Sequence, residues 1–158
     1  LNQEGYKQAK CFATSISGFQ VDSIVSSPLS RAVTTAQEIY KLHPTTKFHI
    51  VAQLSERCWG EFEGVCSKEM YKIEQLEEKS SCYWPGKGIE DRYEFRSRIY
   101  HGLKIAQSYH PHPLIVSHGR VFVEICLILG MPILRQVSNC QLIEIVHNGK
   151  KWGFKLLT

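Results

Sequence analysis

Twice in this chain a short aliphatic run ends on a polar pair and passes straight into helical spacing, at IVSSPLSRA (residues 24–32) and at LIVSHGRVF (residues 114–122). A strand that runs directly into a helix is the repeating unit of an α/β sheet with helices on its faces. LIVS has no polar alternation, the mark of a strand covered on both sides. In such sheets ligands bind beyond the carboxyl ends of the parallel strands. The two junctions therefore predict one functional edge that carries both Arg31 and His118.

The remaining pattern alternates in the same way. Residues 3–15 read as a helix with Ala9, Phe12, Ala13 and Ile16 near one face, closed by Gly18. VDSIVSS (21–27) reads as a strand. Pro28 and Ser30 open a helix with Ala32, Ala36, Ile39 and Tyr40 as its apolar stripe. FHIVAQL (48–54) is a second strand, and SERCWGEFEGVC (55–66) a loop with glycines at 60 and 64. A charged helix capped by Ser67 follows, then a loop over 81–88. The longest helix, 91–109, has Phe95, Ile99, Leu103 and Ala106 at helical spacing, and HPHP stops it. The helix after His118 runs to about Leu129, and residues 142–157 form a hairpin turning at Asn148-Gly149. The expectation is one domain, 1–158: a three-layer α/β/α sandwich with a mostly parallel sheet and an antiparallel C-terminal hairpin at one edge.

Composition narrows the function classes only slightly. The formal charge is +4 with basic residues scattered, Lys150-Lys151 being the longest run. That suits a small anionic ligand, and no aromatic-basic motif supports nucleic-acid binding. No stretch approaches the roughly 18 apolar residues of a membrane span, and no signal peptide is evident. The six cysteines fall in no zinc-like or CxxC spacing, which favours a reduced, cytosolic compartment, with Cys126 and Cys140 read as buried thiols. The remaining histidines make no metal-ligand pattern, and His110 and His112 read as surface residues. No metal or other cofactor is expected.

Three residues carry candidate chemistry. Arg31 sits in the first turn of a helix, where unpaired N–H groups favour an anion and a guanidinium can grip two phosphate oxygens; position alone also fits an exposed arginine. His118 follows a buried strand, and Gly119 lets a ligand or another backbone approach closely. Its imidazole could donate to a phosphate oxygen or attack phosphorus, or simply satisfy a loop carbonyl. Glu56 opens the glycine-bearing loop and can reach the same edge as a proton donor; position alone equally fits a solvated glutamate. Glu61 and Glu63 are weaker candidates in that loop.

With these elements in order the chain resembles the histidine phosphatase superfamily, the phosphoglycerate-mutase-like enzymes. LNQEGYKQA is similar to the family's LTxxGxxQA helix, SSPLSRAVTTAQEI to SPLxRAxxTAxxI, and LSERCWGEFEG to LxExxxGxxEG. GIEDRYEFRSRI is a looser likeness of GGESxxDVxxRV, and PLIVSHGRVF matches xLVVSHGGxI. The resemblance implies that Arg31 binds the phosphoryl group, Glu56 is the general acid, and His118 is the second histidine of the phosphate pocket. It implies a small phosphorylated substrate and a phosphohistidine intermediate, formed on a different histidine within an Arg-His-Gly motif. That triplet occurs nowhere in residues 1–158, and the chain begins at Leu1 where the motif would have just ended. The expectation is an N-terminally truncated sequence, with a non-catalytic phosphate-binding module as the alternative. Only residues 65–117 lie between the glutamate loop and the second histidine, which favours a phosphatase over a mutase. Ile89 and Asp91 depart from the small and hydroxyl residues of the GGES segment, while Glu90 and Arg98 keep their places. Arg120 stands where the family often has glycine or a small residue, either adding charge to the pocket or pointing to solvent.

Overall fold

A computed structural model describes residues 1–64, 67–80 and 86–157, the Ser67 side chain excepted. Twelve elements follow the expected alternation: α1 (Gln3–Ser15), β1 (Ser23–Ser26), α2 (Ser30–Leu42), β2 (Lys47–Ile50), two short 3₁₀ turns, α3 (Ser67–Lys79), α4 (Arg92–Gln107), β3 (Pro113–Val116), α5 (Gly119–Leu129), β4 (Ile143–His147) and β5 (Trp152–Leu156). The first three strands form a parallel sheet in the order β2-β1-β3, in register Ile24–Phe48 and Ile24–Leu114.

Side-chain alternation along the strands sorts the core into two layers. Ile24, Phe48, Leu114 and Val116 face α1 and α2, where Ala13, Ile16, Ala36 and Ile39 are buried. Val25 and Ile115 face the other way, onto Leu54, Phe95, Ile99, Leu103, Val121 and Ile125. Each fully buried aliphatic side chain stabilises the fold by about 1.5–3 kcal/mol, so the two layers together fix which edge of the sheet the junctions share. The stripes of α1 and α4 fall where their spacing puts them. On α2 the stripe is Ala32, Ala36 and Ile39, while Tyr40 is exposed and packs edge-on against Phe48.

Three expectations need correction. The second strand ends at Ile50, because the last ladder bond is Val51 N–H to the Ser26 carbonyl and the chain then turns through Ala52–Leu54. That turn buries Leu54 against Gly102 of α4, where an added Cβ would lie 3.0 Å from the leucine. Strand β3 is half-buried along its whole length, not covered on both sides; β1, fully buried, is the central strand. The outer edge of β3 carries no strand among the described residues. The hairpin β4-β5 is accordingly a separate two-stranded sheet and not an extension of the parallel one. Its connection is the four-residue stretch 148–151, which holds the expected Asn148-Gly149 pair, with the Asn148 side chain accepting from the Lys150 and Lys151 N–H groups.

Among the cysteines, Cys126 is buried, Cys140 is half-buried, and Cys11 and Cys58 are exposed, all four as free thiols; Cys66 and Cys82 lie outside the described residues. No helix among the described residues is long and apolar enough to cross a membrane. His112 is at the surface, paired with Asp22 at 2.7 Å.

Candidate active site

Both junctions deliver their residues to the carboxyl edge of the parallel sheet. Strand β1 ends at Ser26, and Ser27, fully buried, donates its N–H to the Val116 carbonyl at the end of β3. That single bond sets the two turns side by side. Arg31 follows in the first turn of α2, and His118 is the residue immediately before α5. Arg31 Nε donates to His118 Nδ1 at 3.3 Å, joining residues 87 apart in sequence. With Nδ1 accepting, the imidazole proton belongs on Nε2, which lies 2.8 Å from Ser27 Oγ and donates to it. Ser27 Oγ also accepts from the Leu29 N–H, so it is the fixed point that orients the ring.

The environment keeps this histidine neutral. Burial, then the Arg31 charge, then that of Arg98 hold its pKa down at about 4. Gly119 is exposed, and a Cβ built on it would meet nothing within 4 Å. Apart from its chain neighbours, no atom of the described residues fills that position. A guanidinium beside the imidazole and the first N–H groups of the 11-residue helix α5 are the donors here, a set suited to an oxyanion.

Glu56 comes from the turn after β2. Its carboxylate accepts from the Arg57 N–H at 2.9 Å and, at 3.5 Å, from the Arg120 N–H in the first turn of α5. Burial pushes its carboxyl group above the usual range; the two N–H contacts and the charges of Arg31 and Arg120 pull against that shift without reversing it. A carboxyl group with raised pKa, beside groups that could hold an anion, can stay protonated long enough to serve as an acid. Arg31, Glu56, His118 and Gly119 thus converge. Glu61 is exposed, and Glu63 is engaged with the Trp59 N–H of its own loop at 2.8 Å.

Three supporting features escaped the sequence reading. Ser27 is one, though SSPL already held a buried serine after a strand. Ser117 is another, its hydroxyl donating to the Leu54 carbonyl at 2.8 Å and tying the end of β3 to the approach to Glu56. The third is Arg57, whose guanidinium forms a buried fork on Glu77 of α3 at 2.8 and 2.5 Å. Arg120 does not point to solvent: it turns onto Glu74 of α3 at 3.0 Å, and its charge still acts on Glu56. Asp91 caps α4 by accepting from the Tyr93 and Glu94 N–H groups, the work a serine would do there, and Ile89 is buried in a bridge to Trp59. No group of three or more His, Cys, Asp or Glu side chains that could hold a metal occurs among the described residues.

Known proteins share this fold. The pattern of the histidine phosphatase superfamily (branch 1) matches residues 1–158. An uncharacterized phosphatase, PhoE, of Bacillus subtilis is 31% identical over 98% of this chain and 79% of its own. The α-ribazole phosphatase of Shigella flexneri superposes with a TM-score of 0.75 at 22% identity, over 99% of this chain and 83% of that one. A phosphoglycerate mutase from Bacillus anthracis does so with a TM-score of 0.77 at 21% identity, over 99% and 81%. On the whole-chain match, with the fold in agreement, this chain belongs to the histidine phosphatase superfamily.

Proposed function

We propose that the protein is a metal-independent phosphomonoesterase that acts on a small phosphorylated metabolite through a phosphohistidine intermediate. The observation that carries the reading is the Arg31–His118 contact at 3.3 Å beside the open space at Gly119. In this reading the phosphoryl group enters that space and draws the Arg31 guanidinium from the imidazole onto its equatorial oxygens. Once Arg31 has left Nδ1, the imidazole takes the Nδ1–H tautomer with the Ser27 hydroxyl donating to Nε2, so charge that builds in the transition state meets fixed donors. Glu56 protonates the leaving alcohol and then, as a carboxylate, takes a proton from the water that cleaves the phosphohistidine. Both steps balance: one P–O bond breaks as one P–N bond forms, then the P–N bond breaks as water supplies the new P–O bond.

In this reading the attacking histidine is one other than His118, in an Arg-His-Gly motif that residues 1–158 do not contain. The short stretch between the Glu56 loop and His118 favours hydrolysis over transfer between hydroxyls. A related phosphatase named for phosphoserine occurs in Hydrogenobacter thermophilus, and one named for α-ribazole phosphate in Shigella flexneri, both in keeping with a small phosphomonoester.

The test is hydrolysis of p-nitrophenyl phosphate by the full-length protein in the presence of EDTA. Turnover that disappears in His118→Ala supports the reading. A full-length protein that binds inorganic phosphate at this edge but never turns over a monoester would instead be a phosphate-binding module.

A further inference from the structure

Glu56 is held less by its own side chain than by its backbone. Arg98, on α4, gathers that backbone with one guanidinium: Nη1 donates to the Gln53 and Ser55 carbonyls at 2.8 and 2.7 Å, and Nη2 to the Glu56 carbonyl at 3.0 Å. Its two remaining donors, Nε and the second Nη2 hydrogen, both go to the Glu90 carboxylate at 2.6 and 2.8 Å. All five guanidinium hydrogens are therefore used, a pattern only the planar arginine fork supports. Glu90 does more than pair with it. Its Oε2 accepts from the Cys58 N–H at 3.2 Å, its N–H donates to the Cys58 carbonyl at 2.9 Å, and its carbonyl accepts from Arg57 Nε and Nη2 at 3.1 and 2.8 Å. The residues on either side of Glu56 and those beyond it thus all report to one glutamate 34 positions away.

We propose that Glu90 is a positioning residue: through Arg98 and the backbone of Arg57 and Cys58 it sets where the Glu56 carboxyl group stands relative to His118. This rests on the reading of Glu56 as the proton donor. Isosteric replacement by glutamine keeps one acceptor but loses the charge and one arm of the fork, so the Glu56 turn is released without emptying the site. A lysine at 98 has three donors for five duties and does the same from the other side.

The experiment compares Glu90→Gln and Arg98→Lys in the full-length protein, each alone and with Glu56→Gln, on p-nitrophenyl phosphate and on an alkyl phosphate. Positioning predicts a loss in kcat of about tenfold or more on the alkyl phosphate, which needs the acid, and a much smaller one on the nitrophenyl ester. It also predicts that either change costs almost nothing further once Glu56 is glutamine, because the two act as one unit. Equal losses on both substrates, or the same loss in the Glu56→Gln background, would overturn the proposal and leave Glu90 a purely structural residue. Carbon-13 titration of the Glu56 carboxyl group supplies a readout that needs no turnover. If the wild-type protein hydrolyses nothing, the phosphatase reading fails by itself. A Glu56 titration that shifts in Glu90→Gln still supports positioning, and an unchanged one refutes it.

Discussion

The two halves of the candidate site are built by different means. Arg31 and His118 hang from two parallel strands, and the bond from Ser27 N–H to the Val116 carbonyl aligns their turns. Glu56 hangs from no strand. Its turn is gathered by Arg98, Glu90 and Arg57, side chains whose charges are matched at 2.5–2.8 Å in a partly or wholly buried setting. A backbone ladder needs only that both segments be extended and apolar. A guanidinium network needs several long side chains to be ordered at once, which costs entropy and tolerates few replacements. The histidine half is therefore expected to survive substitution structurally and fail chemically. The glutamate half is expected to fail structurally first.

The sharpest break is Arg57→Ala. It strands the Glu77 carboxylate, 5% exposed, without its partner, and the expected loss is about 3–5 kcal/mol in urea unfolding. A loss below 1 kcal/mol would erase the contrast between the halves. Next comes the histidine half: Arg31→Ala and His118→Ala in the full-length protein should each lower kcat on p-nitrophenyl phosphate by roughly a hundredfold or more. Arg31 is exposed, so its variant should unfold at the wild-type urea concentration.

Glycines separate the halves in the same order. Gly60 has a φ of +53° and a Cβ there would sit 2.2 Å from the Lys87 carbonyl oxygen, so Gly60→Ala should destabilise by about 1–2 kcal/mol from backbone conformation alone, and more from the clash. Gly119→Ala meets no protein atom and should leave thermal stability within about 0.5 kcal/mol while weakening inorganic phosphate binding. Unchanged phosphate affinity in that variant would move the ligand elsewhere.

The last contrast is in protonation. His118 titrates near 4 in the folded protein against 6.5 when unperturbed, so between those values the folded state binds fewer protons than the unfolded one. Its contribution to stability is complete above pH 6.5 and is lost as the pH falls through 4. The acid limb of a stability profile should flatten in His118→Gln. In Arg31→Ala the His118 titration, followed by proton NMR, should move upward, because a nearby positive charge has gone; a downward move would mean the two side chains do not share a space.

Much of the histidine half was legible in the residues. IVSSPLSRA and LIVSHGRVF each encode a strand, a turn and a helix start within nine residues, and local pattern suffices to read such units. The glutamate half was not. Arg98 lies on a helix face whose spacing shows only charge, and nothing local says that it reaches the carbonyls of residues 53, 55 and 56. The over-long second strand has the same cause. FHIVAQL is apolar enough to continue, but the pocket that Gly102 opens for Leu54 lies on a helix nearly fifty residues away.

Hydrophobic spacing and the order of turns were enough to settle the α/β architecture, the parallel strands and the shared edge on which Arg31 and His118 stand, since each is a short-range consequence of which residues shun water. The protonation of His118 and Glu56, the diversion of Arg120 to Glu74 and the guanidinium frame around the Glu56 turn were decided only when the chain closed. Burial and charge pairing depend on distances through space, and sequence separation does not carry them.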